Sequence, residues 1–389
     1  MNEKPSGTPT KGECPHFVKR VRARDLGIRI GMYPTGKYNA ITDVPGVQVG
    51  HSTIIQGEAG KLCPGTGPIR TGVTAILPNN RNIFEDRVVG SGYVLNGAGE
   101  ISGLTQVMEW GQIETPILLT NTMSVGTCSE SLVKYMLKKY PGIGSVQDVV
   151  IPVVGECDDS WLNDSSGHHV QERHVFEALD SAATGPVVEG CVGGGTGMIT
   201  CDFKGGIGTS SRRIPKEAGG YVVGVLVMSN FGIVEDLRVD GIPMGMLLAP
   251  TFPNEHRRKK TYGSIIAVVA TDAPMSSHQV MRLCRRSALG IGRTGSIAAH
   301  GSGEIIIGFS NGNVIPRDSK DKTYRMEVML ESAIDPLYRA VIEATEEAVL
   351  NALFAAETMH GHSGHVAPAI PLDQVRAIVE RVNKYGYCR

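Results

Sequence analysis

The chain has 389 residues, 41% of them hydrophobic and 20% charged, with 38 Lys+Arg against 39 Asp+Glu. That length can bury a sizeable core without staples, and a formal net charge of -1 excludes a binder held to nucleic acid or membrane by bulk charge. No apolar run reaches the roughly 18 residues of a spanning helix, and the N-terminal stretch lacks the apolar centre of a secretory signal, so a cytoplasmic protein is expected.

Residues 1–24 are polar and rich in Lys, Arg, Gly and Pro, and read as a flexible arm. Residues 25–389 read as one domain, since no linker parts two compositions. From Ile41 the text ITDVPGVQVGHSTII breaks into short apolar pieces cut by Pro and Gly, the pattern of strands and turns. GVTAILP, PILLTN, DVVIPVVGE and GYVVGVLVMSNFG are further buried-strand candidates. Ser129 to Tyr140 has helical spacing and a lysine-rich end. Ser277 to Gly290 reads as a helix with a serine N-cap and a glycine stop. Glu327 to Met359 is helical text interrupted near Asp335-Pro336, and Leu372 to Tyr385 closes the chain as an amphipathic helix. Central strands flanked by helices make a layered α/β domain. Eight scattered cysteines without a Cys-x-x-Cys pair read as reduced thiols.

One junction stands out. A polar, basic loop, PNEHRRKKT, runs into Tyr262-Gly263-Ser264 and then at once into the β-branched run IIAVVA. A serine hydroxyl needs a base to become a nucleophile, and no Gly-x-Ser-x-Gly elbow is present. Breaking the Gly263–Ser264 bond would give Ser264 its own base. The new α-amine has a pKa of about 7.7–8.0 and is partly unprotonated near neutral pH. Gly263 would leave its carbonyl open to attack. Taken alone, Gly-Ser reads as a turn before a strand.

The surrounding motifs decide between these. ITDVPGVQVGHST, ISGLTQVMEWGQIETPILLTNTMSVG, VGE…WLND…GHHV, GCVGGGTGMITCDFKGGIGTSSR, SNFG, YGSIIAVVATDAP and GSGEI occur in one order across roughly residues 28 to 360. Together they resemble the self-processing serine aminopeptidases, the family of L-aminopeptidase/D-esterases and β-peptidyl aminopeptidases. The resemblance implies an α+β fold, a four-layer αββα sandwich similar to N-terminal-nucleophile hydrolases but differently connected. It implies self-cleavage between Gly263 and Ser264 into chains 1–263 and 264–389, with Ser264 as nucleophile. It places Asn230 in the oxyanion hole, Ser302 and Glu304 as a serine–acid pair beside the nucleophile, and Glu156 as anchor of the substrate ammonium.

Some relatives have a tyrosine where this chain has Asp158, and a glycine where it has Ser160. The expected substrates are small peptides, amides or esters with a free amino end. No cofactor or metal is expected, and a homotetramer of paired chains is. The glycine-rich VGGGTGM lacks the phosphate-loop spacing and reads as close-packed backbone. His360, His362 and His365 read as solvated loop histidines. Two alternatives stay open: an acyltransferase of similar fold, like the glutamate N-acetyltransferases, and a non-catalytic homologue that binds amines or partners.

Overall fold

A computed structural model of the protein describes residues 20–258 and 262–386. Fifteen strands are assigned among these: β1 (Gln48–Gln56), β2 (Ile69–Leu77), β3 (Asp86–Gly97), β4 (Ile101–Ser102), β5 (Gln112–Ile113), β6 (Ile117–Asn121), β7 (Val153–Cys157), β8 (Ile199–Thr200), β9 (Phe203–Lys204), β10 (Gly206–Arg213), β11 (Val222–Asn230), β12 (Tyr262–Thr271), β13 (Gly301–Pro316), β14 (Met359–His360) and β15 (Val366–Ala367). Two sheets dominate, with orders β1-β2-β6-β7-β4 and β10-β11-β12-β13-β3-β5. Strands β11 and β12 are buried along their described lengths, so they read as continuous apolar text, as strands covered on both faces do.

The helices are α1 (Leu104–Trp110), α2 (Val125–Lys139), α3 (Glu172–Asp180), α4 (Met244–Leu248), α5 (Ser277–Arg293), α6 (Asp335–Ala355) and α7 (Leu372–Tyr385). Helices α2 and α3 cover the five-stranded sheet, α5 and α6 cover the six-stranded one, and β7 packs on β11 and β12 between them. This is the expected αββα stack. One apolar cluster lies under α5 and α6, and a second joins the facing sheets to α2 and α3.

Several boundaries differ from the sequence reading: α2 begins at Val125, before Ser129, and α6 ends at Ala355, short of Met359, which lies in β14. Helix α5 does not stop at Gly290. That glycine lies at the crossing with α6, where a Cβ would sit 2.6 Å from the Ile342 carbonyl oxygen and 2.6 Å from Thr345 Cβ. It is there for close packing, and the helix runs on to Arg293. Its N-cap is Ser276, whose hydroxyl accepts from Gln279 N–H at 3.2 Å. Residues 327–330 are not helical, and only a 3₁₀ turn at Glu331–Ala333 precedes the helix. Met329 N–H donates to the Pro274 carbonyl at 3.0 Å and Glu327 N–H to Asn313 Oδ1 at 3.0 Å, which docks the segment before the Asp335-Pro336 helix start. Finally, Arg20 to Arg24 are docked: Arg22 pairs with Glu189 at 2.7 Å and Arg24 with Glu347 at 2.8 Å. Residues 1–19 of the expected arm lie outside the described residues, as do Lys259 to Thr261 of the basic loop.

Arg212, fully buried, pairs with Glu347 at 2.7 Å and Glu343 at 3.3 Å, which ties β10 to α6. Cys63, Cys128, Cys157, Cys191, Cys201 and Cys284 are free thiols, and Cys14 and Cys388 lie outside the described residues.

Candidate active site

Strand direction brings Ser264, Asn230, Ser302 and Glu304 to one end of the six-stranded sheet, on its two faces. β11 runs antiparallel to β12, so its last residue, Asn230, pairs with Ser264 near the start of β12. β13 runs parallel to β12, so its start lies at the same end: Ser302 is level with Gly263 and Glu304 with Ile265. Asn230 and Ser264, directly paired on antiparallel strands, share one face of the sheet, whereas Ser302 and Glu304, level with Gly263 and Ile265, share the opposite face and do not line the cavity at Ser264. Strand β7 of the facing sheet ends above Asn230 and Ser264 and carries Glu156. Between these ends opens a cavity of about 750 Å³, lined by Gly263, Ser264, Glu156, Asp158, Thr122 and His362 among others.

The side chains are fixed by identifiable bonds. Ser264 Oγ accepts from Gly303 N–H at 3.3 Å. The Ser302 hydroxyl donates to Glu304 Oε1 at 2.5 Å, and the Ser296 hydroxyl reaches the same oxygen at 3.3 Å. Glu304 is wholly buried; burial raises its pKa, and the hydrogen bonds from Ser302 and Ser296 oppose the rise. Asn230 Oδ1 accepts from Ile199 N–H at 2.8 Å, which sets the amide's orientation, and Nδ2 donates to the Asp158 carbonyl at 2.8 Å. An amide nitrogen has two hydrogens, so one N–H of Asn230 remains for a ligand oxygen.

Glu156 is also held. Its Oε1 accepts from Glu100 N–H at 2.9 Å, and Oε2 accepts from the Thr122 hydroxyl. Burial raises its pKa first of all; these two bonds pull it down, and the charges of Asp158 and Glu100 add to the rise. Gly263 is also constrained, since a Cβ built there would lie 1.9 Å from the Asn230 carbonyl oxygen.

Several residues at the site carried no signal in the sequence. Thr122 follows an apolar run, but its bond to Glu156 spans 34 residues and exists because β6 and β7 are parallel neighbours. Ser296 lies on a loop before β13. Asn96 Nδ2 donates to the Ser302 carbonyl at 2.5 Å and to that of Ala299 at 2.9 Å, which clamps the turn into β13. The histidines are not simply solvated. His362 Nε2 bonds the Ser160 carbonyl at 2.9 Å, and His365 Nδ1 bonds that of Trp161 at 2.8 Å while stacking on its ring at 3.7 Å. They brace the loop that carries Asp158. The 3₁₀ turn Gly193–Gly195 packs against β2, β6 and β10, as close-packed backbone. Among the described residues no group of three or more His, Cys, Asp or Glu is placed to hold a metal, and no helix is long and apolar enough to cross a membrane.

A sequence profile described as peptidase family S58 matches residues 39–367. The chain belongs to peptidase family S58. It is 42% identical over 375 residues to a β-peptidyl aminopeptidase of Sphingosinicella microcystinivorans, with 93% of each chain covered. Among solved structures, a protein of Pyrococcus horikoshii superposes with a TM-score of 0.89 at 46% identity, over 93% of this chain and 99% of that one. The L-aminopeptidase D-Ala-esterase/amidase of Ochrobactrum anthropi, described as a prototype of the serine aminopeptidases and a variant of the N-terminal-nucleophile hydrolase fold, gives 0.84 at 39% identity over 94% and 99%. This S58 chain is accordingly a serine aminopeptidase, a hydrolase of amide bonds.

Proposed function

We propose that this S58 peptidase matures by cutting itself between Gly263 and Ser264, and that Ser264 of the new chain 264–389 then removes amino-terminal residues from small peptides, amides or esters. One observation carries the reading: a single cavity is lined at once by Gly263, Ser264 and the buried carboxylate of Glu156.

In maturation the Ser264 hydroxyl attacks the Gly263 carbonyl carbon. The acyl group moves from nitrogen to oxygen, and water hydrolyses the ester, leaving a carboxylate on Gly263 and an amine on Ser264. In turnover that amine takes the hydroxyl proton as Oγ attacks the substrate carbonyl. The free N–H of Asn230 stabilises the oxyanion, a contribution of about 10²–10³ in rate for such a donor. Glu156 holds the substrate ammonium through a charge-assisted bond. The protonated amine then gives its proton to the leaving amine, and water resolves the acyl-enzyme. Ser302, its hydroxyl fixed by Glu304, stands level with the cleaved bond and supplies a polar contact to the new amine.

The names of the relatives extend the substrate range to amides of α- and β-amino acids, and we carry that range over to this enzyme. We also read it as a cytoplasmic homotetramer of paired chains, which sedimentation velocity tests. The decisive experiment is intact mass with N-terminal sequencing, beside Ser264→Ala. Wild type should give chains of about 28 and 13 kDa, in proportion to 41.5 kDa for 389 residues, the smaller one beginning SIIAVV. Ser264→Ala should stay whole. Two whole proteins, or nicks after Arg or Lys in both, overturn the proposal.

A further inference from the structure

Resting on the aminopeptidase reading, we propose that the enzyme selects substrates whose N-terminal residue carries a second cation, a lysine- or ornithine-like side chain, and that Asp158 is the residue that reads it. The cavity that contains Ser264 is lined by three carboxylates, Glu156, Asp158 and Asp164, and among its described lining residues by no lysine or arginine.

The three are not equivalent. Asp164 is already satisfied: it accepts from Gly65 N–H at 2.7 Å, from the Ser166 hydroxyl at 3.0 Å and from His169 Nε2 at 2.9 Å. Burial alone would raise its pKa, and the bonds from His169, Ser166 and Gly65 outweigh that and lower it. Glu156 has Thr122 and Glu100 as donors and faces the substrate's α-ammonium. Asp158 is half-buried and uses Oδ1 for Ser160 N–H at 2.8 Å. Its backbone carbonyl is fixed by Asn230, and the loop beyond it is braced by His362 and His365. The carboxylate is therefore held in place beside the oxyanion donor.

A substrate with one ammonium neutralises Glu156 and covers the half-buried Asp158 without giving it a counter-charge, which has a cost. A substrate with two cations removes that cost. Glu156, in β7, and Asp158, just past its end, line the same cavity two residues apart, where an extended backbone would advance about 6.6 Å, a reach comparable to that from the α-ammonium to the ζ-ammonium of lysine. Leu62 and Met123 also line the cavity and offer apolar surface to the methylene stem.

The test compares kcat/KM for lysine and norleucine p-nitroanilides, each as the L, D and β³-homo form, with wild type, Asp158→Asn and Asp158→Glu. Norleucine keeps the carbon chain and loses the charge. Wild type should prefer the lysine compound about 10- to 100-fold, the range a charge-assisted hydrogen bond supplies. Asp158→Asn should bring the lysine-to-norleucine ratio close to one, and Asp158→Glu should restore most of it. Circular dichroism melts check that each variant folds. If wild type cleaves both compounds equally, or favours norleucine, the substrate class is wrong while the aminopeptidase reading stands. If Asp158→Asn keeps the full lysine preference, Asp158 is not the reader and the proposal fails. If no form of either amide is cleaved by wild type, the underlying reading fails, and this inference with it.

Discussion

Gly263→Ala adds one methyl group where the structure has little room. The new Cβ would lie 1.9 Å from the Asn230 carbonyl oxygen, 2.9 Å from its carbon and 3.0 Å from Phe231 Cα. Non-bonded heavy atoms settle near 3.5–4.0 Å, so the first rungs of β12 and β11 must part by roughly 1.5–2 Å. Ser264 sits on the first of those rungs. A displacement of 1 Å costs about 10²-fold in a reaction that depends on near-attack geometry. Self-cleavage of Gly263→Ala, followed by gel densitometry and intact mass over days at constant temperature, should thus slow by about a hundredfold or more. The defect should belong to the precursor. Once the bond is cut, residue 263 is a chain end that can move aside. The fraction that matures should then hydrolyse amide substrates with nearly wild-type kcat/KM per N-terminal serine. Cleavage at the wild-type rate would refute the steric argument. Full cleavage to an inactive enzyme would show that Gly263 matters after maturation instead.

Three further outcomes follow from the same geometry. Glu304 is buried with its pKa raised in the folded state, so its ionisation costs stability: the cost is absent below the unfolded carboxylate pKa of about 4.3 and complete above the folded one. Glu304→Gln should therefore gain Tm relative to wild type as pH rises from 4 to 8, while amide hydrolysis falls; a Tm difference that stays flat with pH would contradict this. Thr122→Val removes a bond that lowers the Glu156 pKa, so the acidic limb of kcat/KM should move to higher pH with an increased KM; an unmoved limb would take Glu156 out of amine binding. Arg212→Met leaves the buried Glu343 and Glu347 without a main partner and should cost about 3–5 kcal/mol in denaturant unfolding, with a loss below 1 kcal/mol counting against the network.

The layers could be read from the text because their signals are local, whereas the roles expected of Asn230, Ser302, Glu304 and Glu156 came from the resemblance. Buried strands such as Val222 to Asn230 are unbroken apolar runs, and the alternation Ser302-Gly303-Glu304 already puts two polar groups on one face. The Gly263–Ser264 dipeptide could not be read that way. Its meaning comes from Asn230 and Ser302, brought alongside by strand pairing across the sequence, and only the order of several motifs pointed to it. Gly290 misled for a similar reason: a glycine that lets two helices touch is indistinguishable, in one sequence, from a glycine that ends one. Thr122, Ser296 and Asn96 escaped notice because each is an ordinary polar residue in a loop or at a strand end. Register alone gives them their partners.

Strand β12 sits in the interior of its sheet, bonded to β11 along one edge and to β13 along the other. If the chain is cut before Ser264, one of those neighbours belongs to each product. The small product begins in the middle of the sheet, and α6 binds it further to β10 and β11 of the large one. The cut thus has to come after folding, since the two pieces could hardly find this arrangement separately. With such a cut, folding would be unimolecular for the precursor and bimolecular for the mature enzyme. Denaturation is then a different event before and after the cut: the precursor can retrace its path, whereas the mature enzyme disperses into two chains whose recovery depends on concentration. For the working enzyme, durability would be governed by how slowly the sheet first opens.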